Sequence, residues 1–122
     1  MNYKSLFKAM TLALMLTACG NQHKTETVVN DFLAENMKQT DYKIEFSNID
    51  STALVSDSAI IRMRKASLVN NIYKQPLKYI DAKRNDKYIF TQARIYIGND
   101  TISQTFYLDM QMTGVVAFKK NG

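Results

Sequence analysis

The sequence is poor in the residues that form cross-links, metal sites and phosphate-binding loops. Its 122 residues include one cysteine, one histidine, one proline, four glycines and no tryptophan. A lone cysteine excludes an intramolecular disulfide, and one cysteine with one histidine gives too few ligands for a structural zinc site. Four dispersed glycines form no Walker or Rossmann fingerprint. The scarcity of proline and glycine also argues against a disordered or linker-rich chain.

What is present indicates one ordinary globular domain with a mild positive charge. The chain is 46% hydrophobic and 22% charged, with a formal net charge of +5, and its length fits a single domain. Lys4 and Lys8 are two of its sixteen basic residues, so the chain beyond residue 18 has fourteen basic and eleven acidic side chains. That excess predicts no nucleic-acid partner, which would need a clustered basic face. We interpret the basic run at 62–65 as a solvated face, or one near anionic lipid headgroups.

The first eighteen residues have the pattern of a secretion signal. Lys4 and Lys8 precede the apolar run at 9–16, and no acid lies among them. A positively charged region followed by a short hydrophobic region is typical of a signal peptide. The run is too short to cross a bilayer, which takes roughly twenty apolar residues. We therefore predict that residues 1–18 are a signal peptide.

A four-residue motif follows the hydrophobic run. Leu16, Thr17, Ala18 and Cys19 resemble a lipobox, the processing site of bacterial lipoproteins. The resemblance implies that a diacylglyceryl group is added to the thiol of Cys19, that a peptidase cuts before Cys19, and that the new amino group is acylated. Each buried CH₂ contributes about 0.8 kcal/mol, so two or three chains would hold the protein firmly on a membrane. The alternative is an ordinary signal peptide with an accidental cysteine.

The residues after Cys19 bear on location. Residues 19–24 are predicted to be the lipidated cysteine and a polar tether, and no aspartate stands next to Cys19 as an enterobacterial-type signal for inner-membrane retention would require. The acidic cluster typical of surface-exported lipoproteins of the Bacteroidetes is also missing. We therefore predict a lipid-anchored protein of the cell envelope, on the outer membrane and facing the periplasm.

Hydrophobic periodicity predicts that residues 25–122 form one α+β domain. A stripe through Val29 and Leu33 predicts a helix over 25–38, with Thr25 as its N-cap. Residues 41–49 alternate like a strand, and 50–52 have turn composition. Residues 58–74 predict a second helix, although alternation near its start leaves a strand as the alternative. Gln75-Pro76 should end it, because the residue before proline is disfavoured in the α region.

The remaining chain predicts a β-meander. The expected elements are a short strand at 77–81, a turn at 82–86, a strand at 87–97, a hairpin turn at 98–100, a strand at 101–110, a turn at 113–114 and a strand at 115–119. Asp109 is expected to stabilise the turn before Thr113, while Lys119 and Lys120 place charges where they would protect a sheet edge. The predicted fold is α+β, with one or two helices packed on one face of an antiparallel β-meander sheet.

Several strand and helix segments resemble one group of proteins. The segments are Phe32-Leu33, Ile44–Ser47, Gln104–Asp109 and Thr113–Lys119. Together they resemble a broad group of small lipoproteins of the Bacteroidetes, single α+β domains behind a lipobox. The resemblance implies a cystatin-like or an NTF2-like shape and carries no catalytic motif.

The sequence offers little for catalysis. His23 falls in the predicted tether, where no nucleophile and orienting acid can be expected around it. Glu45, Asp100 and Asp109 are candidates for acid–base work only if strands bring two of them together. We therefore predict a protein that is not an enzyme, with no catalytic residue, no metal site and no cofactor.

Tyrosines are the most suggestive feature. Tyr88 and Tyr96 have the same parity, with Phe90 between them, and could form a binding surface, because tyrosine is broad, rigid and half polar. The alternative is that these rings pack under the helices.

Three functions remain open. The first is a non-enzymatic domain that docks a protein partner of the envelope. The second is a carrier of an unidentified small ligand, in a cavity between a helix and a curved sheet. The third is an NTF2-like enzyme, which would need a buried carboxylate near a tyrosine hydroxyl.

Overall fold

A computed structural model describes residues 22–47, 51–82 and 87–121 of the chain. In these ranges a helix, α1, covers residues 22–36, and a second helix, α2, covers Asp57–Ser67. The strands are β1 Lys43–Phe46, β2 Ser51–Leu54, β3 Lys87–Ile97, β4 Asp100–Leu108 and β5 Val115–Lys120. The predicted signal peptide and lipobox lie outside the described residues, as do residues 83–86 of the predicted turn at 82–86.

The five strands form one antiparallel sheet around β3. Strand β1 pairs with the second half of β3, where Phe46 lies opposite Ala93, and β2 pairs with the first half, where Ala53 lies opposite Tyr88. On its other side β3 pairs with β4, and β4 pairs in turn with β5. Strand β5 is therefore one edge of the sheet.

A tight hairpin joins the two longest strands. Ile97 lies opposite Asp100, so only Gly98 and Asn99 form the loop. Gly98 has a φ of +58°, a left-handed conformation that glycine adopts without a steric penalty and that two-residue hairpin loops require. The predicted hairpin at 98–100 is confirmed.

Helix α1 covers one face of the sheet. Val29 and Leu33 are fully buried and belong to one cluster with Ile95, Leu108 and Phe118. Because residues four apart lie on one side of a helix, the stripe seen in the sequence is the face that packs. The predicted α+β fold, with a helix on a face of an antiparallel sheet, is confirmed.

Helix α2 packs on the other face of the sheet, against strand residues that alternate with those covered by α1. Ile60 is buried in a second cluster with Tyr88, Tyr107 and Ala117. Successive side chains of a strand point to opposite faces, so Tyr88 and Tyr107 face away from the side that α1 covers. At the start of α2 the Ser56 hydroxyl accepts a hydrogen bond from the Ala59 N–H at 3.2 Å, which is the usual N-cap arrangement.

The second helix ends seven residues earlier than predicted. Residues 57–67 are helical rather than extended, but the chain then turns, and the Asn70 side chain accepts a hydrogen bond from the Ile72 N–H at 3.3 Å. Such Asx turns offer the backbone an alternative to the helix. Beyond the turn Tyr73 is fully buried and forms a bridge with Met37, which a continuous helix to Lys74 would not allow.

Other predicted boundaries were also wrong. The helix begins before Thr25, which is buried inside it with its hydroxyl 3.4 Å from the Met112 sulfur, so part of the predicted polar tether is helical. The first strand is shorter, the turn at 50–52 overlaps β2, and 77–81 forms no strand. That segment donates one backbone hydrogen bond to β5, from the Ile80 N–H to the Val115 carbonyl at 3.0 Å.

The loop between β4 and β5 packs against residues 77–82. A Cβ on Gly114 would collide with the Ile80 side chain, so this close approach requires glycine. Asp109 holds the loop, as predicted, because its carboxylate accepts hydrogen bonds from the Thr113 and Gly114 N–H groups.

Raising the pH above 10 is expected to destabilise the fold through Tyr79. Burial raises the pKa of Tyr79 from 10.0 to about 12, against the smaller lowering effects of its hydrogen bond to Ser67 and of nearby Arg64. Between these values the unfolded chain loses a proton that the folded chain keeps, so the free energy of unfolding falls as pH rises. Burial also raises the pKa of Tyr73, which acts in the same direction.

Urea unfolding at about pH 9 and about pH 11 measures this effect. The wild type should lose more stability across the interval than Tyr79→Phe, which has no ionisable group at position 79. Equal losses in the two proteins would show that Tyr79 makes no such contribution.

Candidate functional site

A cleft lies between α2 and the edge strand β5. Its volume is about 1020 Å³, at the upper end of the range of small-molecule sites. One side of α2 contributes Ala59, Met63 and Ala66, and the sheet contributes Tyr107 and Phe118. Residues 54–56 and 69–72 complete the lining at the two ends of the helix.

Two exposed aliphatic side chains stand at these ends. Leu54 is 80% exposed and Val69 is 81% exposed, and both line the cleft. Single exposed aliphatic residues are common on protein surfaces. Here they extend the apolar lining of a concave site outward, which is typical of an interaction surface.

The charged groups of the cleft have one sign. Arg62, Lys119 and Lys120 are exposed and line it. Among the described lining residues there is no aspartate or glutamate. The cleft therefore favours an anionic occupant over a cationic one.

The backbone of β5 adds hydrogen-bonding groups on this side. The Asn121 N–H donates to the Ser103 carbonyl at 2.8 Å, and the register places Lys119 opposite Thr105 and Lys120 opposite Gln104. Opposite residues in an antiparallel pair alternate between bonding each other and pointing their N–H and C=O groups away. Because the Ser103 and Asn121 pair is bonded, the backbone groups of Phe118 and Lys120 point away from β4. Phe118 is only 2% exposed, so of these two residues only Lys120 lies at an accessible edge.

Arg64 connects α2 to the beginning of this edge. Its Nε donates to the Val116 carbonyl at 2.9 Å, and one of its terminal nitrogens donates to the Ile80 carbonyl at 2.7 Å. The guanidinium carbon also lies 5.1 Å from the centre of the Tyr79 ring, within cation–π range. These contacts fix α2 beside β5 and leave the last part of the strand facing the cleft.

The aromatic surface suggested by the sequence takes a different form. Tyr88 is 1% exposed and belongs to the core under α2. Phe90 is half-buried with its ring centre 6.1 Å from that of Tyr107. Tyr96 is half-buried and lies roughly 26 Å further along β3 than Tyr88, at about 3.3 Å per residue. Tyr88, Phe90 and Tyr96 do occupy alternate positions of one strand, as their spacing predicted. Tyr88 offers no exposed ring, however, so only Phe90 and Tyr96 remain as surface candidates.

Sequence reasoning missed the residues that form the cleft. Lys119 and Lys120 were interpreted only as edge protection, and Leu54 and Val69 carried no periodic signal. The detectable hint was two lysines directly after an apolar strand.

The acids and the histidine lie elsewhere in the described chain. His23 is exposed on α1, with its carbonyl accepting a hydrogen bond from the Thr27 hydroxyl at 2.8 Å. Glu45 forms an exposed ion pair with Arg94 at 3.7 Å, and Asp109 is used by its own loop. The residues described contain no group of three or more histidine, cysteine, aspartate or glutamate side chains that could hold a metal ion.

No helix within the described ranges is long and apolar enough to cross a membrane. Comparison of the chain with models of known protein families gave no match, and comparisons with curated proteins and with solved structures gave none either.

Proposed function

We propose that this chain is a membrane-anchored bacterial lipoprotein whose domain is a non-enzymatic binding module, with the cleft between α2 and β5 as its partner-binding surface. The observation that carries the proposal is the cleft itself, about 1020 Å³ in volume and bordered by exposed Leu54 and Val69. Concave apolar surfaces of this kind are characteristic of binding sites.

The anchor is supported by the motif at Leu16–Cys19 alone. A lipid on Cys19 would keep the domain in the cell envelope, on the outer membrane and facing the periplasm, beside envelope proteins that could enter the cleft. The protein would then belong with the small lipoproteins of the Bacteroidetes that it resembles, whether its shape is cystatin-like or NTF2-like.

A small-ligand carrier is the second candidate. The cleft volume and its combination of apolar lining with three cationic side chains suit an anionic amphiphile such as a fatty acid. A carrier would have to use this cleft between α2 and the sheet edge, because buried side chains of one cluster pack between α1 and the sheet. An NTF2-like enzyme is less well supported, because the described lining offers no carboxylate beside the Tyr107 hydroxyl.

Site-specific photo-crosslinking in the native host tests the binding module. A photoreactive amino acid is placed at Leu54 or Val69 in the full chain, and at Lys38 or Gln92 as exposed controls outside the cleft. We expect one dominant protein adduct from the cleft positions and none from the controls. The same adduct should be lost in Cys19→Ala, because an unanchored domain no longer stays beside its partner.

Two results would contradict the proposal. Equal adducts at cleft and control positions would mean that the cleft is not the contact surface. Adducts that persist unchanged in Cys19→Ala would mean that anchoring at Cys19 does not place the domain.

A further inference from the structure

We propose that the sheet edge at β1 pairs with the β1 of a second copy of this chain, so that two domains share one antiparallel sheet about a two-fold axis at Ile44. This inference goes beyond the proposed function, because it concerns the edge of the sheet opposite β5. It follows from the direction of the β1 backbone groups, from the charges of β1 and from its apolar side chains.

The pairing of β1 with β3 leaves backbone groups turned outward. The Ser47 N–H donates to the Gln92 carbonyl at 2.9 Å, and these residues lie opposite each other when the register of β1 on β3 is continued. Since bonded and non-bonded pairs alternate along an antiparallel ladder, Glu45 also bonds β3, whereas Ile44 and Phe46 point their N–H and C=O groups away from it. No strand of the described ranges pairs with that side of β1, and both residues are half-buried rather than enclosed.

The charges of β1 select one way for two copies to pair. When Ile44 lies opposite Ile44, outward groups meet outward groups, and Lys43 of each copy lies opposite Glu45 of the other. Opposite charges at directly opposed positions stabilise paired strands. The nearest allowed registers, shifted by two residues, place Lys43 against Lys43 or Glu45 against Glu45, which is destabilising. An edge with lysines alone would repel its own copy, but β1 has one charge of each sign at the spacing that two-fold pairing requires.

Apolar side chains line the other face of the same edge. Tyr42, Ile44 and Phe46 alternate with the charged residues and are half-buried against the core under α1. In the proposed register Tyr42 of each copy lies opposite Phe46 of the other, and Ile44 lies opposite Ile44. Aromatic and β-branched cross-strand pairs are favourable, so the pairing covers apolar surface that a single domain leaves partly exposed.

The pairing also extends an ion pair that the domain already has. Glu45 lies 3.7 Å from Arg94 of β3, and both side chains are exposed. A second copy would place its Lys43 on the other side of Glu45, so that each carboxylate lies between two cations. The contact comprises only residues 42–46 of each copy, so we expect weak association in dilute solution. A lipid on Cys19 would confine both copies to one membrane and raise their effective concentration.

Disulfide crosslinking of the full chain in its native host tests the pairing. Ile44→Cys would lie opposite itself with the two Cα atoms about 5.5 Å apart, within the range of a disulfide. Gln92→Cys is the control, because Gln92 is exposed on the central strand β3 and not at an edge. We expect a covalent dimer from Ile44→Cys on mild oxidation and none from Gln92→Cys. The parent chain, with Cys19 as its one cysteine, gives the background.

A mixed crosslink measures the register. Lys43→Cys and Glu45→Cys, coexpressed with different tags, should crosslink to each other more than either does to itself, because only the mixed pair is directly opposed. Lys43 and Glu45 are both exposed, so this pair tests the register even where Ile44→Cys lowers stability.

Charge reversal tests what selects the partner. Lys43→Glu or Glu45→Lys turns both opposed charge pairs into like pairs, and each should reduce the Ile44→Cys dimer about tenfold. Coexpressing these two variants should restore a mixed dimer, because every opposed pair then has opposite charges, and mixing would not relieve a defect in folding. Lys119→Glu, an exposed charge change at the other edge, should leave the dimer unchanged.

Three results would overturn the inference. Ile44→Cys and the mixed cysteine pair might both give no more dimer than Gln92→Cys, which would mean that β1 does not pair. Glu45→Cys might crosslink to itself more than to Lys43→Cys, which would mean a different register. A dimer that survives both charge reversals would mean that the charges do not select the partner.

The proposed function is decided separately from these results. Leu54 at the rim of the cleft lies opposite Lys87, whereas Ile44 lies opposite Ile95, about 26 Å further along β3 at about 3.3 Å per residue. Adducts from Leu54 and Val69 should therefore persist in Lys43→Glu, whatever happens to the β1 dimer.

Discussion

Replacing Phe118 with alanine is expected to lower the free energy of unfolding by about 3–5 kcal/mol, the largest effect of any substitution considered for this domain. Phe118 is 2% exposed. Its ring centre lies 4.9 Å from that of Tyr73, 5.8 Å from that of Phe106 and 6.1 Å from that of Phe32. Truncation therefore removes a ring from the middle of an aromatic cluster that joins α1, the sheet and the segment after α2.

The neighbouring side chains cannot refill this space easily. Phe106 is on the adjacent strand and is fully buried, and Tyr73 is held by its hydroxyl, which donates to the Gln104 side chain at 2.5 Å. Because these partners are fixed, most of the cavity remains, and the loss of ring–ring contacts adds to the cost. The domain has no disulfide that would support the weakened core. Total stabilities of folded proteins are about 5–15 kcal/mol, so the expected loss is a large share of the free energy of unfolding.

Urea unfolding followed by circular dichroism measures the change. Tyr96→Ala is the matched control, since it also truncates an aromatic strand residue, but one that is only half-buried on the same sheet; its loss should be clearly smaller. Phe118→Leu should retain most of the stability, because it keeps much of the buried apolar volume. A loss in Phe118→Ala below about 1.5 kcal/mol would show that the aromatic cluster does not hold the two layers together.

The parts of this fold that the sequence predicted are those with a strong local pattern. The stripe through Val29 and Leu33 repeats at helical spacing and became the buried face of α1. Gly98 and Asn99 are a two-residue turn between alternating runs and became the hairpin. Asp109 stands at a loop entrance with threonine and glycine after it and became the acceptor for that loop. In each example the residues that determine the structure are close neighbours in the chain.

The errors arose where the outcome depends on distant partners. Residues 51–54 are partly polar and form a strand only because β3 offers them an edge, with Ala53 opposite Tyr88. Residues 77–81 have strand-like alternation but obtain only the Ile80 hydrogen bond to β5. A periodic pattern reports which side chains are apolar and not whether a neighbouring strand is available for pairing.

The candidate site was hidden from sequence reasoning for the same reason. The direction in which Phe118 and Lys120 point their backbone groups follows from the register of β5 on β4, which the pairing around Ser103 and Asn121 determines. A shift of one residue would turn those groups toward β4. The cleft also needs α2 to stop at Ser67, so that residues 69–72 can turn beside β5. Neither fact is encoded in a short motif.

Replacing Asp109 with alanine is expected to lower the free energy of unfolding by about 2–4 kcal/mol. The side chain is 1% exposed. Its Oδ1 accepts from the Thr113 N–H at 2.7 Å and from the Gly114 N–H at 3.2 Å, and its Oδ2 accepts from the Thr113 hydroxyl at 2.5 Å. Alanine removes three hydrogen bonds to a carboxylate and leaves two backbone donors without their acceptor.

The consequence reaches beyond the loop because the loop positions β5. Gly114 contacts Ile80 closely, and the Ile80 N–H donates to the Val115 carbonyl. If residues 113–114 lose their acceptor, this contact and the start of the edge strand lose their support. We therefore expect faster hydrogen exchange at Ile80 as well as a lower unfolding midpoint in Asp109→Ala.

Milder substitutions separate the contribution of the Asp109 charge from that of its individual hydrogen bonds. Asp109→Asn keeps an oxygen for the Thr113 and Gly114 N–H groups and should cost about half as much as alanine, while Thr113→Val removes only the hydroxyl and should cost about 1 kcal/mol. Asp100→Ala is the control, since Asp100 is an exposed aspartate at the other end of β4; it should change the unfolding midpoint little. If Asp109→Ala and Asp100→Ala unfold at the same urea concentration, the hydrogen bonds around Asp109 do not stabilise the fold, and the edge of β5 must be supported by α2 through Arg64.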